Sequence, residues 1–271
     1  MATSAFFIGI AAVVDSGIML KKFKAFAGEP APFVMELPTY HAPSMTGVLR
    51  ATWERGWSFI KRAGTVIVAS SIVLWFLQGF GFVDGAFGMV EDNNNSLLAA
   101  IGGAICFIFA PLGFGDWQST VATITGLIAK EEVVNTFGVL YQYAGTADLL
   151  EDSHDIWTAI GADFGAVTAY SFMIFNLLCA PCFAAMGAIR REMNNTKWTL
   201  GAIGYMCGFA YAVSMIVYQL GGLITGEAVF SLWTVVAAAA LAGLLYLLLR
   251  KGYQGEREIH HLTSVAAAAE E

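Results

Sequence analysis

Residues 175–191 read FNLLCAPCFAAMGAIRR, an apolar stretch that contains the motif Cys179-Ala-Pro-Cys182 and ends on two arginines. Pro181 has no backbone N–H, and in a helix its ring would clash with the carbonyl of Leu177. Inside lipid, a carbonyl freed in this way needs a polar partner. A thiol beside it suits a soft or borderline metal cation. The alternative is a proline kink with a cysteine packed as a small apolar side chain.

The composition around this stretch is that of a polytopic membrane protein. Of the 271 residues, 57% are hydrophobic and 13% are charged, whereas soluble domains carry about 25% charged residues. The net charge of −7 is spread over loops on two sides of a membrane, so it does not indicate nucleic-acid binding. We therefore expect an all-α fold, a polytopic transmembrane helical bundle in a lipid bilayer, with no nucleic acid partner.

Apolar segments predict about six to seven membrane spans. The candidate spans are residues 2–20, 63–80, 97–110, 117–143, 165–189, 197–223 and 229–249. The segment 97–110 is short for a full span, so a re-entrant segment is the alternative. Residues 45–62 mix tryptophan with basic side chains, which predicts an amphipathic helix at the membrane surface with Ser44 as its N-cap.

The basic residues indicate the topology. All fourteen Lys and Arg except Lys130 lie in residues 21–62, 190–197 and 250–257. The positive-inside rule places these stretches in the cytoplasm and the acidic loops outside. The N-terminus is then external without a signal sequence, which suggests the later part of a longer protein or a first helix that needs a partner chain.

Four regions follow from this topology. They are a first transmembrane helix (1–24), a cytoplasmic Pro-rich segment with the amphipathic helix (25–62), a transmembrane core (63–250) and a disordered cytoplasmic tail (251–271). Prolines disfavour regular helix at the start of the second region. The tail is polar and then Ala-rich, which favours disorder.

Three charged residues stand inside a predicted span: Lys130, Glu131 and Glu132. A charge at the bilayer centre costs about 2.5–3.5 kcal/mol on insertion scales, so such residues face protein or water. We expect one glutamate to pair with Lys130 while the other reaches a cavity. The alternatives are a structural ion pair that fixes helix packing, or a segment that lies closer to the membrane surface.

Other polar residues carry weaker indications. Asp116 lies in a turn and suits the N-cap of the helix that follows it. Met186 flanks the Pro-Cys pair, and thioethers bind soft metals, although methionine in an apolar helix usually serves packing. None of the four histidines has a second ligand at a metal-binding spacing. The sequence contains no nucleotide-binding loop and no nucleophile–base pair, so an enzyme is the least supported class.

Five stretches together resemble one known family, the C-terminal half of the membrane domain of ferrous iron transport protein B (FeoB). They are PFVMELPTYHAPS (32–44), TWERGWSFIKRAGTVI (52–67), APLGFGDWQSTVATITGLIAKEEVVNTFGVLY (110–141), CAPCFAAMGAIRRE (179–192) and YQLGGL (218–223). In that family two Gate modules, related to nucleoside-transporter Gate domains, each carry a cysteine proposed to meet Fe(II). The resemblance implies Gate-type broken or re-entrant helices in the core.

The resemblance also implies an ion path. Cys182 matches the Pro-Cys of the second Gate module, and Lys130-Glu131 match the family's Lys-Glu pair. The implied metal ligands are Cys182 and Glu131, with Cys179 and Met186 as weaker candidates, because Cys179 stands where the family has an aromatic or apolar residue. The implied path comprises Cys182, Pro181, Glu131, Lys130 and Leu177.

The implied function is the membrane permease portion of a ferrous iron uptake transporter in the plasma (inner) membrane of a prokaryote. Fe2+ is the transported ion, and no bound cofactor is expected. A full member of the family begins with a GTP-binding domain and a first Gate module. We expect that N-terminal part, in cis or as a separate chain, and a small FeoA-like cytosolic protein as partners. Any GTPase activity would reside in the N-terminal part.

Two alternatives stay open. A Gate-domain transporter of a nucleoside or other organic solute would need polar side chains that converge on a sugar or base, and the candidates are Asn135, Thr136 and Asn176. A non-transporting assembly or regulatory membrane subunit would depend on its helix faces, and its partner's flux would not depend on Cys182 or Glu131.

Overall fold

The structure, a computed structural model, describes most of the chain. The described residues are 2–23, 26, 44–83, 86–90, 93–130, 132–140, 160–161 and 164–251. Glu131, the Pro-rich segment to residue 43, the acidic stretch 141–159 and the tail beyond residue 251 lie outside the described residues. What the sequence predicts for them therefore stays a prediction.

The described residues are almost entirely helical, which confirms the all-α prediction. The helices are α1 (Ala2–Lys21), α2 (Met45–Gly79), α3 (Leu97–Ile105), α4 (Trp117–Thr125), α5 (Glu132–Leu140), α6 (Ala166–Leu178), α7 (Phe183–Met193), α8 (Thr196–Ile216), α9 (Gly222–Thr225) and α10 (Leu232–Leu249). Within the described part, the helical stretches long and apolar enough to cross a membrane are Thr3–Lys21, Thr196–Thr225 and Leu232–Leu249. They coincide with three predicted spans, and the architecture is a helical membrane bundle.

Helix α2 is one uninterrupted helix of 35 residues. It joins the predicted amphipathic helix and the predicted second span into a single element. The Ser44 hydroxyl accepts a hydrogen bond from the Gly47 amide at 3.3 Å, which confirms the predicted N-cap. On the exposed surface of α2, the rings of Trp53 and Trp57 stack with centroids 5.9 Å apart, as side chains one helical turn apart can do.

Among the described residues, a short hairpin that follows α2 departs from the all-α prediction. Strands β1 (Phe80–Val83) and β2 (Ala86–Met89) pair antiparallel. The rings of Phe80 and Phe87 stack across the hairpin at 5.7 Å. Aromatic residues at this density favour strand over helix, and cross-strand aromatic pairs stabilise the pairing.

The predicted span 97–110 is too short to cross the bilayer as a helix. Helix α3 has 9 residues, about 14 Å at the usual rise, against a hydrocarbon core of about 30 Å. Two 3-10 turns follow, Cys106–Ile108 and Ala110–Leu112, and the chain turns at Gly113, where φ is 92°. A Cβ at Gly113 would overlap the Tyr218 ring. The geometry favours the re-entrant alternative.

Two other predicted spans are not continuous helices. The predicted span 117–143 consists of α4 and α5, with a break at 126–130. The predicted span 165–189 consists of α6 and α7, with a break at 179–182. Both breaks agree with the Gate-type broken helices that the resemblance implies. The position of the first break was not predicted, because apolar content alone does not distinguish a continuous span from two half-length helices.

The aromatic core lies around α6. Phe114 packs edge-to-face on Phe172 at 5.1 Å and tilted on Phe175 at 5.9 Å. Ser171 lies on the same helix, and its hydroxyl oxygen is 2.7 Å from that of Ser214 on α8; both residues are fully buried. These contacts hold α6 against α8 and against the turn before α4. They therefore set the position of the C-terminal half of α6 within the bundle.

Candidate cation site at two helix breaks

The first break follows α4, whose start is firmly capped. Asp116 accepts a hydrogen bond from the Ser119 amide at 2.6 Å and from the Ser119 hydroxyl at 2.7 Å, which confirms the predicted N-cap. The helix ends in tight turns, in which the Leu127 and Ile128 amides donate to carbonyls three residues earlier. A Cβ at Gly126 would lie 2.6 Å from a Val133 methyl group, so glycine lets α5 approach the break.

The second break follows α6. The Cys179 amide donates to the Phe175 carbonyl at 2.8 Å and closes the last helical turn. Cys179 itself is extended, with ψ 174°, and α7 begins after Cys182, whose side chain makes no capping bond. Pro181 therefore ends a helix and does not kink one, because a proline disfavours helical geometry at the residue before it.

The Leu177 prediction needs correction for this reason. Pro181 lies outside any helix, so it does not clash with the Leu177 carbonyl. The carbonyl that receives an outside donor is that of Asn176, one residue earlier. The Leu177 side chain is 49% exposed and faces a cavity of about 510 Å³ between α1, α6 and α8, which Pro181 and Cys179 also line.

The two breaks meet. The Phe183 amide, at the start of α7, donates to the Leu127 carbonyl in the first break at 2.9 Å. From the same break, the Lys130 ammonium donates to the Asn176 carbonyl at 2.9 Å and to the Cys179 sulfur at 3.1 Å. A cation therefore sits at the C-terminal end of α6, the negative end of its dipole.

The described partners of Lys130 are two groups that the sequence does not predict. The predicted partner was Glu131 or Glu132, but its described contacts are a backbone carbonyl and a thiol. Glu132 opens α5 with its amide bonded to the Ala129 carbonyl at 3.0 Å. Glu131 lies outside the described residues, and its pairing and its role as a ligand stay predictions.

Cys182 and Met186 lie one turn apart at the start of α7. The Met186 amide donates to the Cys182 carbonyl at 2.9 Å, so the thiol and the thioether are neighbours on the helix surface. Both side chains are half-buried. Cys179, which the resemblance ranks lower, is only 6% exposed and touches Lys130.

Two of the three polar candidates for nucleoside binding make hydrogen bonds within the protein. The Thr136 hydroxyl lies 2.8 Å from that of Thr125. The Asn176 amide group donates to the Phe172 carbonyl at 3.0 Å. The Asn135 side chain lies outside the described part, so the convergence of the three groups on one surface stays a prediction.

The described residues offer a mixed ligand set at the two breaks. Among the residues that the structure describes, no group of three or more His, Cys, Asp or Glu side chains is placed to hold a metal ion. We call the point where the two breaks (126–130 and 179–182) meet the crossing. The Asn176 carbonyl and the Cys179 thiol converge there on Lys130. Cys182 lies three residues further along the chain. Sequence reasoning missed the Asn176 carbonyl, whose only local signal is its position just before the break.

Discontinuous helices that meet within a bundle define a class of membrane transport proteins. In such proteins the unwound backbone and the C-terminal ends of half-helices coordinate cations. The described crossing, with open helix ends and a lysine, has this form.

Comparison with known proteins identifies the family. Residues 60–196 match the Gate family, described as nucleoside recognition, and residues 2–55 match the family described as ferrous iron transport protein B C terminus. The Gate match spans half of the chain. The chain therefore belongs to the Gate family, in the form found in the C-terminal part of FeoB proteins.

Similar curated proteins carry the description Fe(2+) transporter FeoB. The relative from Staphylococcus aureus strain COL is 37% identical over 193 residues, which are 71% of this chain and 27% of the relative. The relative from Methanocaldococcus jannaschii is 34% identical over 226 residues, 82% of this chain and 32% of the relative. The relative from Salmonella typhi is 31% identical over 294 residues, which are 92% of this chain and 37% of the relative. The chain thus spans about a third of these relatives, and no solved structure matches it.

Proposed function

We propose that the chain is the membrane permease portion of a ferrous iron uptake transporter in the plasma (inner) membrane of a prokaryote, with its C-terminus in the cytoplasm. One observation carries the proposal: two broken helices meet inside a membrane bundle, where they bring the Cys179 thiol, a lysine and an open helix end together. The description of the relatives as Fe(2+) transporters supports iron as the substrate. The proposal needs no bound cofactor.

In this proposal Fe2+ sheds part of its hydration shell at the second break. The Cys182 thiol and the Met186 thioether supply soft ligands to a borderline cation. Pro181 keeps the break open because it has no amide hydrogen to donate. Glu131, beside the first break, lowers the electrostatic cost of a dication in a low-dielectric path. Binding stays weak because conduction requires the ion to leave as readily as it enters.

The proposal includes partners, since the relatives are about three times as long as this chain. We propose that an N-terminal part with a GTP-binding domain and a first Gate module completes the path, in cis or as a separate chain. Any GTP hydrolysis belongs to that part, and a small FeoA-like cytosolic protein is a further partner.

Anaerobic uptake of radiolabelled Fe(II) tests this function. Cells that lack their own ferrous transporters would express this chain, the N-terminal part of a FeoB relative, or both. We expect uptake only with both, competed by Mn(II) or Co(II) but not by nucleosides. Competition by nucleosides would assign the path to organic solutes, and the absence of uptake in every combination would contradict the proposal.

A further inference from the structure

The contact of Lys130 with the end of α6 has a consequence for ion binding. The Lys130 ammonium donates to the Asn176 carbonyl at 2.9 Å and to the Cys179 sulfur at 3.1 Å. We infer that this carbonyl and this thiol form a second cation subsite, separate from Cys182, in which Lys130 is a tethered cation that an incoming divalent ion displaces. The inference rests on the proposed transport of a divalent cation.

The atoms around the ammonium are metal ligands by type. The Cys179 sulfur lies 3.6 Å from the Asn176 carbonyl oxygen and 3.7 Å from the Ala180 carbonyl oxygen. One sulfur with backbone oxygens on either side is a mixed set that suits a borderline divalent cation. The open C-terminal end of α6 adds the negative end of the helix dipole.

Asn176 provides a second, independent observation. Only 9% of this residue is exposed, and its side-chain NH2 group donates to the Phe172 carbonyl. Its side-chain oxygen is buried and has no hydrogen-bond partner among the described residues. A buried acceptor without a donor is unfavourable. The Lys130 ammonium bonds the backbone carbonyl of the same residue and not this oxygen, so in this inference the oxygen is an acceptor left for the incoming ion.

The tethered Lys130 ammonium favours divalent over monovalent cations in the subsite. A monovalent ion in the subsite would gain no more electrostatic energy from the carbonyl and the helix dipole than the ammonium gains. The ammonium also has the advantage of a high effective concentration, because it is part of the same chain. At the same distance a divalent ion gains about twice the Coulomb energy, because this energy scales with charge. The Cys179 thiol releases its proton to water as the ion binds, and the thiolate adds attraction that opposes the larger cost of dehydrating a divalent ion. Lys130 therefore keeps the subsite closed to sodium and potassium while a divalent ion can enter.

Cobalt binding to the purified full chain tests the subsite apart from transport. In a Cys106→Ser, Cys182→Ser, Cys207→Ser background, the thiolate-to-Co(II) absorption band reports on Cys179. Lys130→Met and Lys130→Gln remove the charge, and the glutamine also keeps a donor for the Asn176 carbonyl. We expect either variant to bind Co(II) roughly tenfold more tightly than the parent, a usual size for coupling between two ligands. Lys130→Arg should not tighten binding, and Cys179→Ser should abolish the band.

Unchanged Co(II) affinity in the neutral variants, or a band that persists in Cys179→Ser, would overturn the inference. The parent protein gives a second readout if the neutral variants do not fold. Displacement frees the amine, so acylation of Lys130 by a small membrane-permeant reagent, located by peptide mass, should rise with Co(II). Acylation that does not respond to Co(II) would also overturn it. Failure of iron uptake with intact Co(II) binding would refute the proposed function and leave the subsite standing.

Discussion

Two buried serines show how single residues set the position of the site. The Ser171 hydroxyl donates to the Leu112 carbonyl at 2.8 Å, and the Ser214 hydroxyl donates to the Ser171 carbonyl at 2.9 Å. Both side chains are fully buried. These bonds tie α6 to α8 and to the turn before α4 five residues ahead of Asn176, so they fix the end of α6 that holds Lys130.

The substitution Ser171→Ala should destabilise the protein. It leaves the Leu112 carbonyl without this donor in a buried environment, which typically costs about 1–3 kcal/mol. Chemical unfolding in detergent micelles measures the change in the free energy of unfolding. Ser58→Ala is the matched control, because Ser58 is exposed on α2. An effect of Ser171→Ala no larger than that of the control would contradict this account of the serine pair.

Among the elements, α6 stands out because opposite charges sit at its two ends. A Glu227 carboxylate oxygen accepts from the Val167 amide at 3.0 Å and from the Thr168 amide at 3.4 Å, at the N-terminus. Lys130 donates to the Asn176 carbonyl at the C-terminal end. Both charges complement the dipole of the helix. Helix α6 is thus stabilised as a half-length element that presents its C-terminal carbonyls to the crossing.

Glu227→Gln tests the N-terminal half of this arrangement. Loss of the negative charge should lower the free energy of unfolding by about 0.3–1 kcal/mol, the usual contribution of a charge at a helix end. Glu54→Gln serves as the control, because the ion pair of Glu54 with Arg50 is exposed and such pairs contribute little. Equal stability losses in the two variants would contradict a role for the α6 dipole.

On the scale of the whole molecule, local features could be predicted from the sequence and distant ones could not. The caps at Ser44 and Asp116 depend on residues within three positions, and both were predicted. The break at 126–130 contains no proline from which it could be predicted. Its Leu127 carbonyl is bonded to the Phe183 amide, far along the chain. Such a pairing leaves no pattern in a single sequence.

Cys179 is a second residue whose distant contact could not be predicted from the sequence. The resemblance favours Cys182, because it matches a family position and Cys179 does not. The structure places Cys179 against Lys130, 49 residues away in sequence. Helix periodicity and spacing report on neighbours within a turn or two, so this contact could not be read from the sequence. The roles of Cys182 and Glu131 in iron passage stay predictions.

The central claim is that iron crosses the membrane where the two helix breaks meet. Its most direct test is Fe(II) uptake by a Cys182→Ser, Glu131→Gln double variant, expressed with the N-terminal part and matched to the wild type in membrane abundance. Cys106→Ser is the control, because Cys106 lies in the turn after α3 and its thiol donates to the Gly103 carbonyl. We expect uptake at background level for the double variant and at the wild-type level for the control. Wild-type uptake by the double variant would contradict it.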